Sequence, residues 1–319
     1  MAQESKRAVF AALAANFAIA ASKFTAAALT GSSAMLSEGI HSLVDTGNQV
    51  LLLVGMRQSR KRADAQHPFG YGKELYFWTL IAAVMIFAVG GGMSFYEGVI
   101  HLIDPRPIID PTWNYIVIGA ALLFEGTSWV VAYRQFRRSG ARRGLIHAVH
   151  TSKDPTLITI LLEDSAALIG LIVALAGVTL GTLLDNPLFD GAASILIGVL
   201  LAGVAVILAA ESKGLLVGEA VEPETLAEIR RLIEADPAVD RAARLLTTYF
   251  GPHAILLNLD IRFHRGLALG EVTDAISRIE DNIRRSHPDV SRIFVEIEAL
   301  SPERRGKGRQ KATARSGEA

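Results

Sequence analysis

The stretch "LSEGIHSLVDTGNQVLLLVG", residues 36 to 55, is apolar enough to be a buried helix, yet polar residues interrupt it at regular intervals. Glu38, His41, Asp45 and Asn48 are spaced three, four and three residues apart, so a helix places them on one face. A charged side chain in mid-membrane costs roughly 2.5–3.5 kcal/mol and therefore usually faces a bundle interior or a water path. His41 and Asp45 can share one cation through an imidazole nitrogen and a carboxylate oxygen, a mixture of ligands that suits zinc. The alternative is a neutral histidine that is hydrogen-bonded to the aspartate as a structural pair.

The composition places the chain among membrane proteins. Half of its 319 residues are hydrophobic, and the mean hydropathy is positive. The sequence has no cysteine, which excludes disulfides, thiolate metal sites and cysteine nucleophiles. The formal net charge is zero, so the overall charge does not indicate a nucleic-acid partner.

Six apolar stretches are each close to the ~20 residues that a helix needs to cross a bilayer. They cover about residues 8–30, 34–56, 76–100, 113–133, 157–180 and 189–210. Lysine and arginine concentrate before the first stretch and after the second and fourth, whereas the opposite connections contain only Arg106. This bias predicts a transmembrane domain over residues 1–213 with both termini in the cytoplasm. The short loops and the lack of a transit-like leader favour a prokaryotic inner membrane.

Residues 214–300 have a different pattern, which predicts a second domain with the element order α-β-β-α-β. In "HAILLNLDIRFH" the apolar residues alternate with polar ones, as in a half-buried strand, and "EVTDAISRIEDNIRRSHP" has helical periodicity. The expected fold class is an all-α six-helix transmembrane domain followed by a cytoplasmic ferredoxin-like α+β domain. Residues 301–319 are basic, small and polar, which predicts a disordered tail.

More acids lie at membrane depth in other predicted helices. Residues 156 to 177, "TLITILLEDSAALIGLIVALAG", contain Glu163 and Asp164, and the fourth apolar stretch contains Glu125. Lys23 in the first stretch can pair with one of these acids, but a single lysine cannot balance all of them. Because buried acids without a partner need a cation or protons, the pattern predicts a transmembrane cation site.

The segments "GSSAMLSEGIHSLVDTGNQ" and "HPFGYGKE", the six spans and the α+β domain resemble the cation diffusion facilitator family over about residues 8–300. The resemblance implies a homodimeric transporter that exports a divalent metal, most often zinc, in exchange for protons. It also implies a tetrahedral site on the second and fifth helices, with His41, Asp45 and Asp164 as ligands.

The fifth helix departs from the pattern His-x-x-x-Asp that this family often has, because Ile160 stands at the histidine position. The segment "LLED", residues 161–164, resembles a branch that includes mitochondrial zinc exporters of animals. This makes Glu163 the candidate fourth ligand, with Glu125 as the competing candidate and Asn48 or water as further options. An oxygen in place of a nitrogen ligand could widen acceptance toward manganese or iron, and cobalt and cadmium are further candidate substrates.

The metal is expected as a transported substrate and not as a resident cofactor. An enzyme is not expected, because the sequence has neither the His-Glu-x-x-His pattern of a metalloenzyme nor the Gly-x-Ser-x-Gly pattern of a serine hydrolase. The alternatives are a metal sensor or an intramembrane metalloenzyme that uses the same site. Weaker candidates for extra metal positions are His147 and His150 in a loop, and His253, His264, His287, Glu296 and Glu298 in the second domain.

Overall fold

The computed structural model describes residues 2–138 and 155–297. The chain divides into two units, Met1–Glu219 with Phe250–Pro252 and Ala220–Tyr249 with His253–Ala319. Within the described residues, the first unit contains six long helices. They are α1 (Ala2–Thr30), α2 (Ser33–Ser59), α3 (Glu74–Ile103), α4 (Thr112–Arg138), α5 (Pro155–Leu183) and α6 (Leu188–Val217). The predicted tail 301–319, Glu298 and the connection that holds His147 and His150 lie outside the described residues.

The first unit is a helical transmembrane domain. Helices α3, α4, α5 and α6 are each long and apolar enough to cross a membrane on composition alone. Helices α1 and α2 have similar lengths, 29 and 27 residues, and their ionisable residues Lys23 and Glu38 are fully buried in the bundle. Apolar side chains such as Leu123 and Val131 are exposed on the outside, as a lipid-facing surface requires.

Helix α3 changes to π-helical geometry over Ile86–Gly91 and then packs closely on α6. A side chain at Gly91 would meet the backbone of Ala202 and Gly198 at 3.1 Å. Small residues at this crossing therefore let the two backbones approach each other, as is typical of membrane helices. Helix α2 packs against both α3 and α6.

A tight turn and one buried acid fix the start of α2. Gly31 has a positive φ of 74°, which a glycine adopts without strain, and Ser32 caps α2 by accepting a hydrogen bond from the Met35 N–H. Asp190 of α6 accepts hydrogen bonds from the Ser33 N–H at 2.5 Å and from the Ser32 hydroxyl at 2.6 Å. An anion at a helix N-terminus also interacts favourably with the helix dipole. These contacts set the position of the polar face of α2.

The second unit is a small α+β domain. It contains α7 (Pro223–Glu234), β1 (Val239–Gly251), β2 (Ala254–Phe263), α8 (Leu269–Ser286) and β3 (Val290–Ile297). The strand order is β1-β2-β3, and β2 pairs with β3 in parallel. The predicted alternation in β2 is confirmed, because its apolar face is buried: Ile255, Leu257, Leu259, Ile261 and Phe263. The predicted fold class, a helical transmembrane domain followed by a small α+β domain, is confirmed.

Candidate metal centre

The polar face of α2 contains a buried histidine without a hydrogen bond. His41 is 1% exposed, and neither of its ring nitrogens has a hydrogen-bond partner in the part of the chain that the structure describes. Its Nε2 lies 3.4 Å from Oδ2 of Asp45, close enough for an electrostatic contact. Oδ1 of Asp45 is also buried without a partner among the described residues. Because buried polar groups are normally hydrogen-bonded, these atoms are available to a further partner such as a cation.

Four carboxylates line one cavity of about 50 Å³ beside this pair. They belong to Asp45 of α2, Glu125 of α4, and Glu163 and Asp164 of α5. The rest of the lining is Asn16, Ile19, Ser42, Gln49, Phe124, Ser128 and Ala167. A polar cavity of this size has room for a cation and a few water molecules.

Two neutral side chains position the acids of α5. Adjacent residues on a helix diverge by about 100°, yet Glu163 and Asp164 both reach the cavity. The Asn48 amide donates a hydrogen bond to Oε1 of Glu163 at 3.1 Å, and the Ser128 hydroxyl donates one to Oδ2 of Asp164 at 3.1 Å. Each carboxylate is therefore oriented by a neutral donor and has no cationic partner in these two contacts.

Among the described residues, Lys23 forms ion pairs with Glu38 and Glu125, and not with Asp45, Glu163 or Asp164. Its ammonium donates hydrogen bonds to Glu38 at 2.9 Å, to Glu125 at 2.9 Å and to the Ser42 hydroxyl at 2.8 Å. One lysine was expected to be too few to balance the interior acids, and this geometry agrees, because Glu163 and Asp164 accept hydrogen bonds from neutral side chains instead. Glu125 is bound to the lysine, whereas Glu163 interacts with a neutral amide.

The predicted ligands do not form a closed set in this conformation. His41 and Asp45 are in contact, and Asp45 shares a cavity with Glu163 and Asp164, but His41 does not line that cavity. Among the described residues, no three histidine, aspartate or glutamate side chains converge closely enough to hold a metal ion. A tetrahedral site would therefore require side-chain rotation toward the cavity.

Two candidate histidines of the second domain, His253 and His287, each lie near one acid in the described part of the chain. His253 lies 3.4 Å from Asp289, and His287 lies 3.8 Å from Glu228, with one acid each. These pairs lie on a partly exposed surface and supply too few ligands for a metal centre.

Ser128, which donates to Asp164, was not predicted as part of the site. Its position, three residues after Glu125 and hence on the same face of α4, was the available signal. Asp190 was not predicted either, and its partners Ser32 and Ser33 lie more than 150 residues away in the sequence. No local pattern reveals that contact.

Family models match nearly the whole chain. The model described as "Cation efflux transmembrane domain" matches residues 9–217, and the one described as "Cation efflux protein, cytoplasmic domain" matches residues 221–300. The boundary between the two matches falls close to the boundary between the two structural units.

Several curated proteins are similar to this chain. "Proton-coupled zinc antiporter SLC30A9, mitochondrial" of Xenopus laevis is 36% identical over 243 residues, which are 76% of this chain and 44% of that protein. "Metal tolerance protein C4" of Arabidopsis thaliana is 33% identical over 82% of this chain and 58% of its own length. "Manganese efflux system protein MneP" of Bacillus subtilis is 24% identical over 92% of this chain and 96% of its own. The chain spans less than half the length of the mitochondrial relative. With its multi-pass membrane domain and its small α+β domain, the chain belongs to the cation efflux family.

Proposed function

We propose that this protein is a secondary transporter that exports a divalent metal cation, zinc in the first place, in exchange for protons. The observation that carries this proposal is the pair of His41 and Asp45 beside an acidic cavity: both ring nitrogens of His41 and Oδ1 of Asp45 have no hydrogen-bond partner among the described residues. A mobile cation can satisfy these atoms and leave again, whereas a protein donor would occupy them permanently.

The proposed ligands are His41 and Asp45 from α2 and Asp164 and Glu163 from α5. Glu163 is the better fourth ligand, because its hydrogen bond comes from a neutral amide. Glu125 is paired with the Lys23 ammonium at 2.9 Å, so a metal would have to compete with a fixed cation for that carboxylate.

Proton exchange follows from the chemistry of these ligands. A histidine and three carboxylates must all be deprotonated to bind a metal, so metal and protons compete for the same atoms. The similarity to proteins named proton-coupled zinc antiporters supports this coupling. No phosphate-binding Gly-x-x-x-x-Gly-Lys motif occurs in the sequence, in agreement with transport driven by an ion gradient.

One nitrogen and three carboxylate ligands would also accept harder metals. Carboxylate oxygens suit manganese, and imidazole suits zinc and iron, so the set gives incomplete discrimination. The similarity to a protein named as a manganese efflux system supports manganese as a second substrate. Iron, cobalt and cadmium are further candidates to include in a competition assay.

We further propose a homodimer in a prokaryotic inner membrane, with both termini in the cytoplasm. The match of the second unit to the cytoplasmic domain of cation efflux proteins supports assembly through that unit. The concentration of lysine and arginine in alternate connections supports the orientation.

Flux into proteoliposomes tests the transport proposal. With an imposed proton gradient, purified protein should move zinc in the direction opposite to the proton flow, and manganese should compete more weakly. An uncoupler that dissipates the gradient should stop this flux. Metal binding without flux would indicate a sensor, and flux that does not respond to the gradient would indicate a uniporter.

A further inference from the structure

The buried ammonium of Lys23 lies between two carboxylates that differ in their access to the metal cavity. Lys23 is fully buried, and its Nζ lies 2.9 Å from Oε2 of Glu38 and 2.9 Å from Oε1 of Glu125. Glu125 lines the cavity, whereas Glu38 is fully buried and is not part of the lining. The Lys23 ammonium therefore interacts with Glu125, which lines the cavity, and with Glu38, which does not.

Glu125 has a second carboxylate oxygen, Oε2, that the lysine does not bind. Oε2 of Glu125 is buried without a hydrogen-bond partner among the described residues, on a side chain that lines the cavity. If Oε1 were also free, both oxygens of Glu125 could bind an ion held by His41, Asp45, Glu163 and Asp164, and Glu125 would be a fifth ligand. The lysine opposes this, because its ammonium occupies Oε1 of Glu125 and offsets part of the negative charge of that carboxylate.

Glu38 is the second acid that binds the Lys23 ammonium. Its Oε1 is buried without a partner among the described residues and lies against Gly170 of α5, where any larger side chain would collide with it. The glycine leaves room for this oxygen, and from α2 Glu38 and Ser42 both accept hydrogen bonds from the Lys23 ammonium. The lysine can therefore keep its contact with Glu125 while the metal site is filled and emptied.

We propose that Lys23 is a specificity-determining residue that keeps Glu125 out of the ligand set and thereby favours zinc over manganese. Zinc is satisfied by four ligands that include a nitrogen, whereas manganese prefers a larger number of oxygen ligands. Releasing Glu125 adds a carboxylate, which should benefit manganese more than zinc. This inference rests on the proposed function of the cavity as a metal site.

Two double variants with equal net charge separate this role from a general effect of charge. Lys23→Met with Glu38→Gln removes the lysine and leaves Glu125 as the free acid. Lys23→Met with Glu125→Gln removes the lysine and leaves Glu38 as the free acid. Each replaces one cation and one carboxylate, so only the identity of the remaining acid differs.

The measurement is the ratio of the zinc and manganese dissociation constants, by isothermal titration of the purified full-length protein with each metal alone. We expect the variant that retains Glu125 to shift this ratio toward manganese by about ten-fold, the scale of changes next to metal ligands. The variant that retains Glu38 should keep the ratio of the unmodified protein. Equal ratios in the two variants, shifted or unshifted, would overturn the proposal.

Two controls complete the experiment. If the variant that retains Glu125 does not fold, Lys23→Leu replaces Lys23→Met in both double variants, because leucine also removes the cation and donates to neither acid, and the same shift is expected. The Asp45→Asn variant tests the site itself. If that variant binds zinc as tightly as the unmodified protein, the proposed metal site is wrong and this inference falls with it, whereas an unchanged ratio alone overturns only the role of Lys23.

Discussion

Two aspartates of the membrane domain, Asp190, which is fully buried, and Asp45, which is half-buried, have opposite surroundings. Asp190 of α6 accepts hydrogen bonds from the hydroxyls of Ser32 and Ser33 and from the N–H groups of Ser33 and Ala34. Asp45 of α2 has a buried Oδ1 without any partner among the described residues, and its Oδ2 lies 3.4 Å from Nε2 of His41. Both carboxylates lie in the same helical bundle.

The difference separates structural acids from acids that are available for a ligand. The donors around Asp190 replace the water that its carboxylate loses on burial, so the group stabilises the fold by anchoring the start of α2. Asp45 lacks such donors and is held in place by the surrounding helices, which leaves it free to bind a cation. Buried acids in this family member are therefore best sorted by their donors and not by their depth.

The largest expected effect on transport comes from removing the carboxylate of Asp45. Asp45→Ala should reduce zinc-dependent flux by more than about 100-fold, because loss of a direct ligand should exceed the effects seen for residues behind the ligands. Folding should be retained, since no described residue donates a hydrogen bond to Oδ1 that would be lost. The measurement is flux into proteoliposomes, with thermal unfolding in detergent and dimer content as controls. Normal flux at normal expression would remove Asp45 from the site.

Asp190→Ala should have the reverse effect: it should lower the stability of the protein and leave zinc binding nearly unchanged. Its loss leaves several buried donors at the start of α2 without an acceptor and should lower the free energy of unfolding by about 2 kcal/mol. The measurement is the midpoint of thermal unfolding in detergent, and zinc affinity of the folded fraction should change little. If zinc affinity fell as much as in Asp45→Ala with no loss of stability, the distinction between the two aspartates would be wrong.

Sequence periodicity was enough to predict most of the fold. The spacing of Glu38, His41, Asp45 and Asn48 predicted one inward face of α2, and all but Asp45 are almost completely buried. Alternation in β2 predicted its buried face, because a strand places every second side chain on the same side. These features depend on neighbouring residues of a single element, which is the information that a sequence displays directly.

Contacts between distant helices could not be predicted in the same way. The sequence offered several acids as partners for Lys23, and only the packing of α1 against α2 and α4 selects Glu38 and Glu125. Similarly, the serines that bind Asp190 were visible as the motif "GSS" but their acceptor was not. The membership of His41, Asp45, Asp164 and Glu163 in one metal site stays a prediction.

A smaller effect distinguishes the two glutamates of the cavity. Glu163→Gln should weaken zinc binding by about ten-fold, because a neutral amide is a poorer ligand and removes one negative charge. Glu125→Gln should weaken it less, since that carboxylate is already paired with Lys23. Isothermal titration of both variants with zinc gives the ranking. A larger loss for Glu125→Gln would make Glu125 the fourth ligand, and two unchanged affinities would indicate Asn48 or water.

The smallest expected effect concerns Asp236 of the second unit, whose carboxylate is paired with a cation outside the membrane. Partial burial alone would raise its pKa, but hydrogen bonds from Arg278 at 2.9 and 3.0 Å and from the Ala238 N–H at 3.0 Å outweigh that effect and lower the pKa. Because the pKa is lower in the folded state, the stabilisation is complete above the pKa of the unfolded chain and is lost as the pH falls through the folded value. Asp236→Asn should lower the free energy of unfolding by about 1 kcal/mol at neutral pH, a modest value because Arg278 is half exposed. Chemical unfolding from pH 7 to pH 3 should show the two proteins converging in stability toward the acidic end. A constant difference across this range would show that Asp236 acts through its shape and neutral hydrogen bonds, as a structural acid whose charge contributes nothing.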